Sequence, residues 1–494
     1  MTVPLGGLLS VHPAVSHLRS KKCVYIFSSI HWLRSWLLLF IVTAVASAYT
    51  QQLSSRQSGA ISTSDEQMFQ QAMSAMQTGD SPKATSLLRS LQTRHPENFE
   101  INESLGLLYA GQGQVAQAVP LLAAAAREQP NSDVAHTNLG TAYFKLQRTQ
   151  LAAREFERAA QINPSNAQAQ SALGQAWMLL KQPIKAAVAF DAALKVDATD
   201  PDLIYNAALA DFDAGQTQAA ASLLAHMPGV DSSASAQSLY GDVEEKLGHY
   251  KEATQHYADA VTLEPSEPNV YVLGIEFLRH WTFGAAIKEF AAGGKKFPDS
   301  KRMRLGLGIA YYGNGNYDQA IPVLADLLAA DPNNAMYANL LGRSCTVLTE
   351  DKNTRCSTLI QFAQQHPQNA TLATYAATSI LHRPSTPEEL QVAQSLLRHA
   401  IVADPKLPQA RLQMGVLQQT ESKWAASVAP LEAAIRLKPD YAQAHYRLAR
   451  AYAHIGKHAE AQQQIALDQQ YSKKQEKSLD ARMKEITTLV VKMQ

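Results

Sequence analysis

An all-α fold, a solenoid of about twelve stacked helix-turn-helix pairs, is what this sequence predicts, and three observations predict it. A period of 34 residues runs through most of the 494-residue chain. Within each period, apolar residues recur at helical rather than alternating spacing. Small residues recur where two helices would cross, and Pro recurs where a helix would stop. The composition agrees: 46% hydrophobic and 18% charged, with only 7% aromatic. A chain rich in Ala and Gln suits closely packed helices better than a β-sandwich.

The elements follow in chain order. All four basic residues of the first 48, Arg19, Lys21, Lys22 and Arg34, lie in a region without acids. Behind them runs WLLLFIVTAVASA (residues 36–48), which closes on Ala46, Ser47 and Ala48. That order of charged, apolar and small segments is the order of a secretory signal peptide, and the run is shorter than the roughly 20 apolar residues a spanning helix needs. Cleavage after Ala48 is the expectation; a retained anchor extended by CVYIFSSI (residues 23–30) stays open as the alternative. Either reading places residues 65–494 outside the cytoplasm, periplasmic or secreted. No Cys follows the small-residue site, which argues against a lipoprotein. Without the leader the formal charge of +1 becomes −3, so no bulk field attracts nucleic acid or an anionic membrane. Residues 49–64, YTQQLSSRQSGAISTS, read as a flexible linker.

The repeat is clearest between Asn138 and Pro164. Leu139, Gly140, Tyr143, Ala152, Phe156, Ala159 and Pro164 have counterparts 34 residues earlier in Leu105, Gly106, Tyr109, Ala118, Leu122, Ala125 and Pro130. They recur 34 residues later as Leu173, Gly174, Trp177, Ala186, Phe190 and Ala193. The same frame gives repeats starting near residues 65, 99, 133, 167, 201, 234, 267, 301, 335, 370, 408 and 442, and an array over 65–472. Two copies carry insertions, at TEDKNTR (349–355) and LHRPSTPEELQ (381–391). In the second, Thr386, Pro387, Glu388 and Glu389 form a capping box with Pro at the first helical position, which restarts the helix.

This pattern resembles the tetratricopeptide repeat family. The resemblance implies a right-handed superhelix whose concave groove is lined by the first helix of each pair, with positions 2, 5, 9, 12 and 13 facing the groove. Position 12 reads Met76, Ala110, Phe144, Met178, Phe212, Glu245, Leu278 and Tyr312, while Tyr205, Tyr271, Leu305 and Ile309 fall on other groove positions. Such an apolar and aromatic strip suits an extended peptide or a partner helix. The bland alternative is that these side chains pack between successive first helices. No triplet of repeats shows the Lys/Asn/Arg arrangement that grips a C-terminal carboxylate in some family members.

Phosphate-loop, HExxH and GxSxG motifs are absent from the sequence, and the array leaves no room for a separate catalytic domain, so no enzyme activity, cofactor or metal site is expected. Cys345 and Cys356 are the two thiols that remain after the leader, and in an oxidising compartment they could pair; two buried free thiols are the alternative. His445, His454 and His458 read as solvated surface. The tail carries Leu479, Met483, Ile486, Val490 and Met493 at 4-3-4-3 spacing, favouring a helix over 473–494 that caps the last repeat, with homodimer pairing the lesser reading. Taken with the resemblance, the expectation is a non-catalytic binding scaffold for protein or peptide partners in a bacterial cell envelope. Two alternatives stay open, an accessory subunit of a polysaccharide-export or glycosyltransferase system and a membrane-tethered spacer.

Overall fold

The computed structural model describes residues 62–332, 334–347, 356–476 and 488. The signal segment, nearly all of the linker, the insertion 349–355 and the apolar stripe 479–493 lie outside the described residues. Ser62 caps the first helix through its hydroxyl and that helix starts at Thr63, so the final residues assigned to the linker belong to the array. At the other end the last helix runs on through Glu476, past the expected boundary at 472.

The described chain holds twenty-four α-helices in twelve antiparallel pairs, here called A and B helices, and splits into two compact units at residues 263 and 264. Unit 1 contains six pairs: α1 (Thr63–Gln77) with α2 (Ser81–Arg94), α3 (Phe99–Gly111) with α4 (Val115–Glu128), α5 (Asp133–Lys145) with α6 (Thr149–Ile162), α7 (Ala167–Leu179) with α8 (Pro183–Leu194), α9 (Pro201–Asp213) with α10 (Thr217–Ala225), and α11 (Ala234–Leu247) with α12 (Tyr250–Leu263). Unit 2 contains the other six: α13 (Glu267–Arg279) with α14 (Phe283–Lys296), α15 (Lys301–Asn314) with α16 (Tyr317–Ala330), α17 (Ala335–Val347) with α18 (Cys356–Gln365), α19 (Ala370–Leu381) with α20 (Pro387–Ala403), α21 (Pro408–Thr420) with α22 (Trp424–Leu437), and α23 (Ala442–His454) with α24 (His458–Glu476). Each unit is a short helical solenoid in which a pair buries its apolar face against its neighbours, since one pair alone encloses too little.

Local chemistry sets the helix ends. Between repeats, side chains of Asn98, Ser132, Asn166, Asp200, Ser233, Ser300 and Asn369 accept hydrogen bonds from the first-turn amides of the A helices that follow. α6 ends at Ile162, and Pro164, two residues on, cannot extend it. The Thr386 capping box forms as the spacing requires, with Thr386 and Glu389 each accepting the other's amide. The A-to-B turn needs one residue in the left-handed region. Gly79, Gly113, Gly215, Gly248, Gly315 and Gly456 supply it at repeat position 15, whereas Gln147, Lys181, Trp281 and Ser422 adopt it at a steric cost.

Close approach inside each pair is the second fixed requirement. A Cβ placed on Gly140 would lie 2.7 Å from the Phe156 ring, which is fully buried. Gly106 meets Leu122 in the same way, Gly174 meets Phe190 and Gly274 meets Phe290, always sixteen residues on. One helix offers a flat patch, and the facing large side chain fills it.

Candidate partner-binding surface

At 100° per residue, positions 2, 5, 9, 12 and 13 of an A helix fall within one arc of about 100°, so each unit presents one A-helix face. The two faces differ. In the first two pairs of unit 2, Tyr271 stands at position 5 and Ile275 and Ile309 at position 9, and these apolar residues are drawn into the packing. Five of the residues expected to line a groove are therefore core residues. Leu278 and Ile309 have no exposure at all, and Tyr312 is buried edge-on against Tyr317 at 5.8 Å between ring centroids. Tyr271 is buried under the Arg302 guanidinium, 4.9 Å from its ring centroid, and edge-on to Phe290; burial pushes its hydroxyl up to about 12. Phe212, in unit 1, joins the buried cluster of Leu224, Met227 and Val243. Leu305 is half-buried between these closed positions.

Unit 1 keeps its face partly open because its middle repeats carry Thr137, Thr141, Ser171 and Gln175 at the same two positions. Small and polar residues there leave the position-12 side chains half-covered. Phe144 leans on Phe156, 6.4 Å between ring centroids, and it and Met178 pack on the core formed by α6 and α8. Tyr205 is half-buried beside the next core cluster. Leu107 and Leu209 are also half-buried at position 9, and Val134 and Leu179 are exposed at positions 2 and 13. The structure thus gathers Phe144, Met178 and Tyr205 on one unit's face and removes Phe212, Tyr271, Leu278, Ile309 and Tyr312 from it.

Charge separates the two faces as well. At the five register positions, unit 1 carries the acids Glu66, Glu100, Glu103, Asp202, Asp213, Asp242 and Glu245 against Lys145 and Lys246. Unit 2 carries Arg279, Arg302, Arg343 and Arg450 there, without one acid. Glu103 is the most perturbed: burial pushes its carboxyl up to about 7, the amide of Asn138, donating to Glu103 Oε1 at 3.1 Å, pulls the other way, and neighbouring Glu100 adds to the rise. Asp211, 3% exposed, is likewise raised to about 6 by burial and by the charge of Asp191.

Sequence reasoning missed a recurring polar tie at position 4. Asn102 Nδ2 donates to the Pro96 carbonyl, His136 Nε2 lies 3.2 Å from the Pro130 oxygen, and Arg411 Nη2 donates to that of Pro405. His445 Nε2 lies 2.9 Å from the Pro439 oxygen and Nδ1 2.6 Å from Gln464 Oε1, so His445 is an interior residue. That corrects the surface reading for one of the three C-terminal histidines; His454 stays exposed, stacked on Trp424. Cys345 and Cys356 are joined as a disulfide between α17 and α18, with Cα atoms 5.8 Å apart. An open notch of about 610 Å³ lies between residues 365–371 and the end of α20. No helix among the described residues is long and apolar enough to cross a membrane.

Known proteins were compared at the level of family, sequence and structure. Tetratricopeptide repeat profiles match residues 69–133 and 412–470, 109–176 and 282–343, and 234–267. No curated protein matches the chain in sequence. Among solved structures, YrrB, described as a TPR protein with an unusual peptide-binding site, is 17% identical over 37% of this chain and 94% of its own, with a TM-score of 0.35. A tetratricopeptide repeat protein from Parabacteroides merdae is 17% identical over 50% of this chain and 98% of its own, TM-score 0.36. The APC/C hetero-tetramer Cut9-Hcn1 is 13% identical over 87% of this chain and 96% of its own, TM-score 0.33. These repeats suggest a scaffold for protein interaction on a fold that is generally non-catalytic. With the profile matches spread over more than half of the chain and twelve helix pairs in one register, the chain belongs to the tetratricopeptide repeat family.

Proposed function

We propose that the protein is a non-catalytic scaffold that holds segments of partner proteins on the A-helix face of unit 1. One observation carries the reading: Phe144, Met178 and Tyr205 stand half-covered at register positions whose counterparts in the first two pairs of unit 2 are buried at Tyr271, Leu278 and Tyr312. Half-covered aromatic and Met side chains over a packed core are the kind of anchors that partners desolvate on binding. The face is contributed by rigid helices, so little ordering cost opposes association.

The scaffold operates outside the cytoplasm, in a cell envelope, in this reading. Its supports are the charged, apolar and small order of the first 48 residues and the disulfide between Cys345 and Cys356, which an oxidising compartment preserves. Affinity capture from the native source with wild type against a Phe144→Ala, Met178→Ala, Tyr205→Ala variant tests the binding role. Loss of the wild-type partners from the variant, with its helical circular dichroism retained, is the expected result; an unchanged set of partners refutes it. N-terminal sequencing of the mature protein tests export, with a start at Tyr49 expected and an intact Met1 contradicting cleavage.

A further inference from the structure

The charge of the unit 1 face narrows what it would hold. Acids outnumber bases seven to two at the register positions, and the corresponding positions of unit 2 hold no acid. The contrast belongs to one face of one unit, since the chain as a whole is nearly neutral. Glu103 adds a local argument. It is half-buried, its hydrogen-bond partner is Asn138, and among the described residues no cation pairs with it. A carboxylate in that setting pays for desolvation without the return a counter-charge gives, which weakens the fold unless a cation arrives from outside. Beside it on the same face are the half-buried Leu107 and, two and four helices along, Phe144 and Met178.

We propose, building on the binding role above, that unit 1 takes an extended peptide segment of a partner protein in which Lys or Arg and apolar residues stand two positions apart, on the same side of the strand. The cations sit against Glu100 and Glu103, and the apolar side chains against Leu107, Phe144 and Met178. A basic segment matches the sign of Glu100 and Glu103, and residues two apart in an extended strand point the same way, so both kinds of side chain reach the one face. An ammonium held by a partly desolvated carboxylate gains a charge-assisted hydrogen bond, worth about tenfold or more in affinity over a neutral amide. An acidic segment meets like charge at Glu100 and Glu103.

The test is fluorescence anisotropy of the full chain at pH 8 with three labelled 12-residue peptides that share their apolar residues and carry Lys, Gln or Glu two positions from them. The Lys peptide is expected to bind about tenfold more tightly than the Gln peptide, and the Glu peptide most weakly. A Glu100→Gln, Glu103→Gln variant brings the Lys peptide to the level of the Gln peptide and leaves the Gln peptide unchanged, while Phe144→Ala weakens both. Equal binding of the three peptides, with Phe144→Ala still weakening them, overturns the charge preference and leaves the binding role standing. Binding of none, or indifference to Phe144→Ala, overturns both. The chain's own residues 1–34, with four basic residues and no acid, are the competing occupant. A zero-length carbodiimide cross-link from Lys21 or Lys22 to Glu100 or Glu103 within one chain assigns the face to that segment and overturns the proposal.

Discussion

Replacing Glu103 with Gln is expected to stabilise the free protein and to flatten its stability between pH 5 and pH 8. Burial raises this carboxyl from an ordinary 4.5 to about 7 in the fold. Between those two values the folded state binds a proton that the unfolded chain has released, so stability falls as pH rises through the interval. Above pH 7 both states are ionised and the loss is complete. A gap of about 2.5 units at 1.36 kcal/mol each sets a ceiling of about 3 kcal/mol, and residual solvent access lowers it. Gln keeps the bond from Asn138 through its own amide oxygen and removes the charge, so the variant escapes the loss. Urea unfolding followed by circular dichroism at pH 5 and pH 8 measures the difference, read on the transition of unit 1, because arrays of this length need not unfold in one step. Wild type should gain on the variant as pH falls. A Glu103→Gln protein less stable than wild type at pH 8, or parallel to it across the range, would refute the assignment of Glu103 as an unpaired buried charge.

The other predictions concern the frame that holds this face. Gly140→Ala drives a methyl into Phe156 and should cost about 1–3 kcal/mol by overpacking, despite the better helix propensity of Ala; thermal unfolding that rises instead would contradict the close approach. Gln147→Gly relieves a left-handed backbone that six other repeats give to Gly, and should stabilise by about 0.5 kcal/mol in the same assay; a loss would show that Gln147 is held there by contacts of its own. Leu278→Ala should cost about 2–5 kcal/mol, whereas Phe144→Ala should cost far less stability and remove partner binding. Reducing the bond between Cys345 and Cys356 reopens a loop of eleven residues and should cost about 3 kcal/mol; a non-reduced intact mass showing both thiols free would contradict the pairing.

The repeat register carried almost all of the fold. Once Leu139, Gly140, Phe156 and Pro164 were in phase with their counterparts, helix number, turn positions and the pairing of Gly with a large residue sixteen places on all followed. Binding positions were harder, because the register states which way a residue points and not whether a neighbour covers it. That depends on the residues beside it: Ile275 and Ile309 at position 9 pull the first two A helices of unit 2 into dry contact, while Thr141 and Gln175 at the same position in unit 1 do not. Both sets were visible in the sequence, and comparing position 9 across repeats would have removed Leu278, Ile309 and Tyr312 from the groove. Polar residues at position 4, where this repeat commonly has an aromatic, could have been noticed as well; their carbonyl partners could not, since these depend on how the preceding turn folds back. The half-buried state of Glu103 left no sequence signal beyond a carboxylate at a position expected to face outward.

Site-specific photo-cross-linking in the native cell tests the central claim most directly. A benzophenone side chain at Met178 sits on the A-helix face of unit 1, and one at Val188, 67% exposed on the following B helix, serves as the outward control. Partner adducts at 178 with none at 188 are the predicted result. Adducts at 188 with none at 178 would contradict the claim that this face holds the partners.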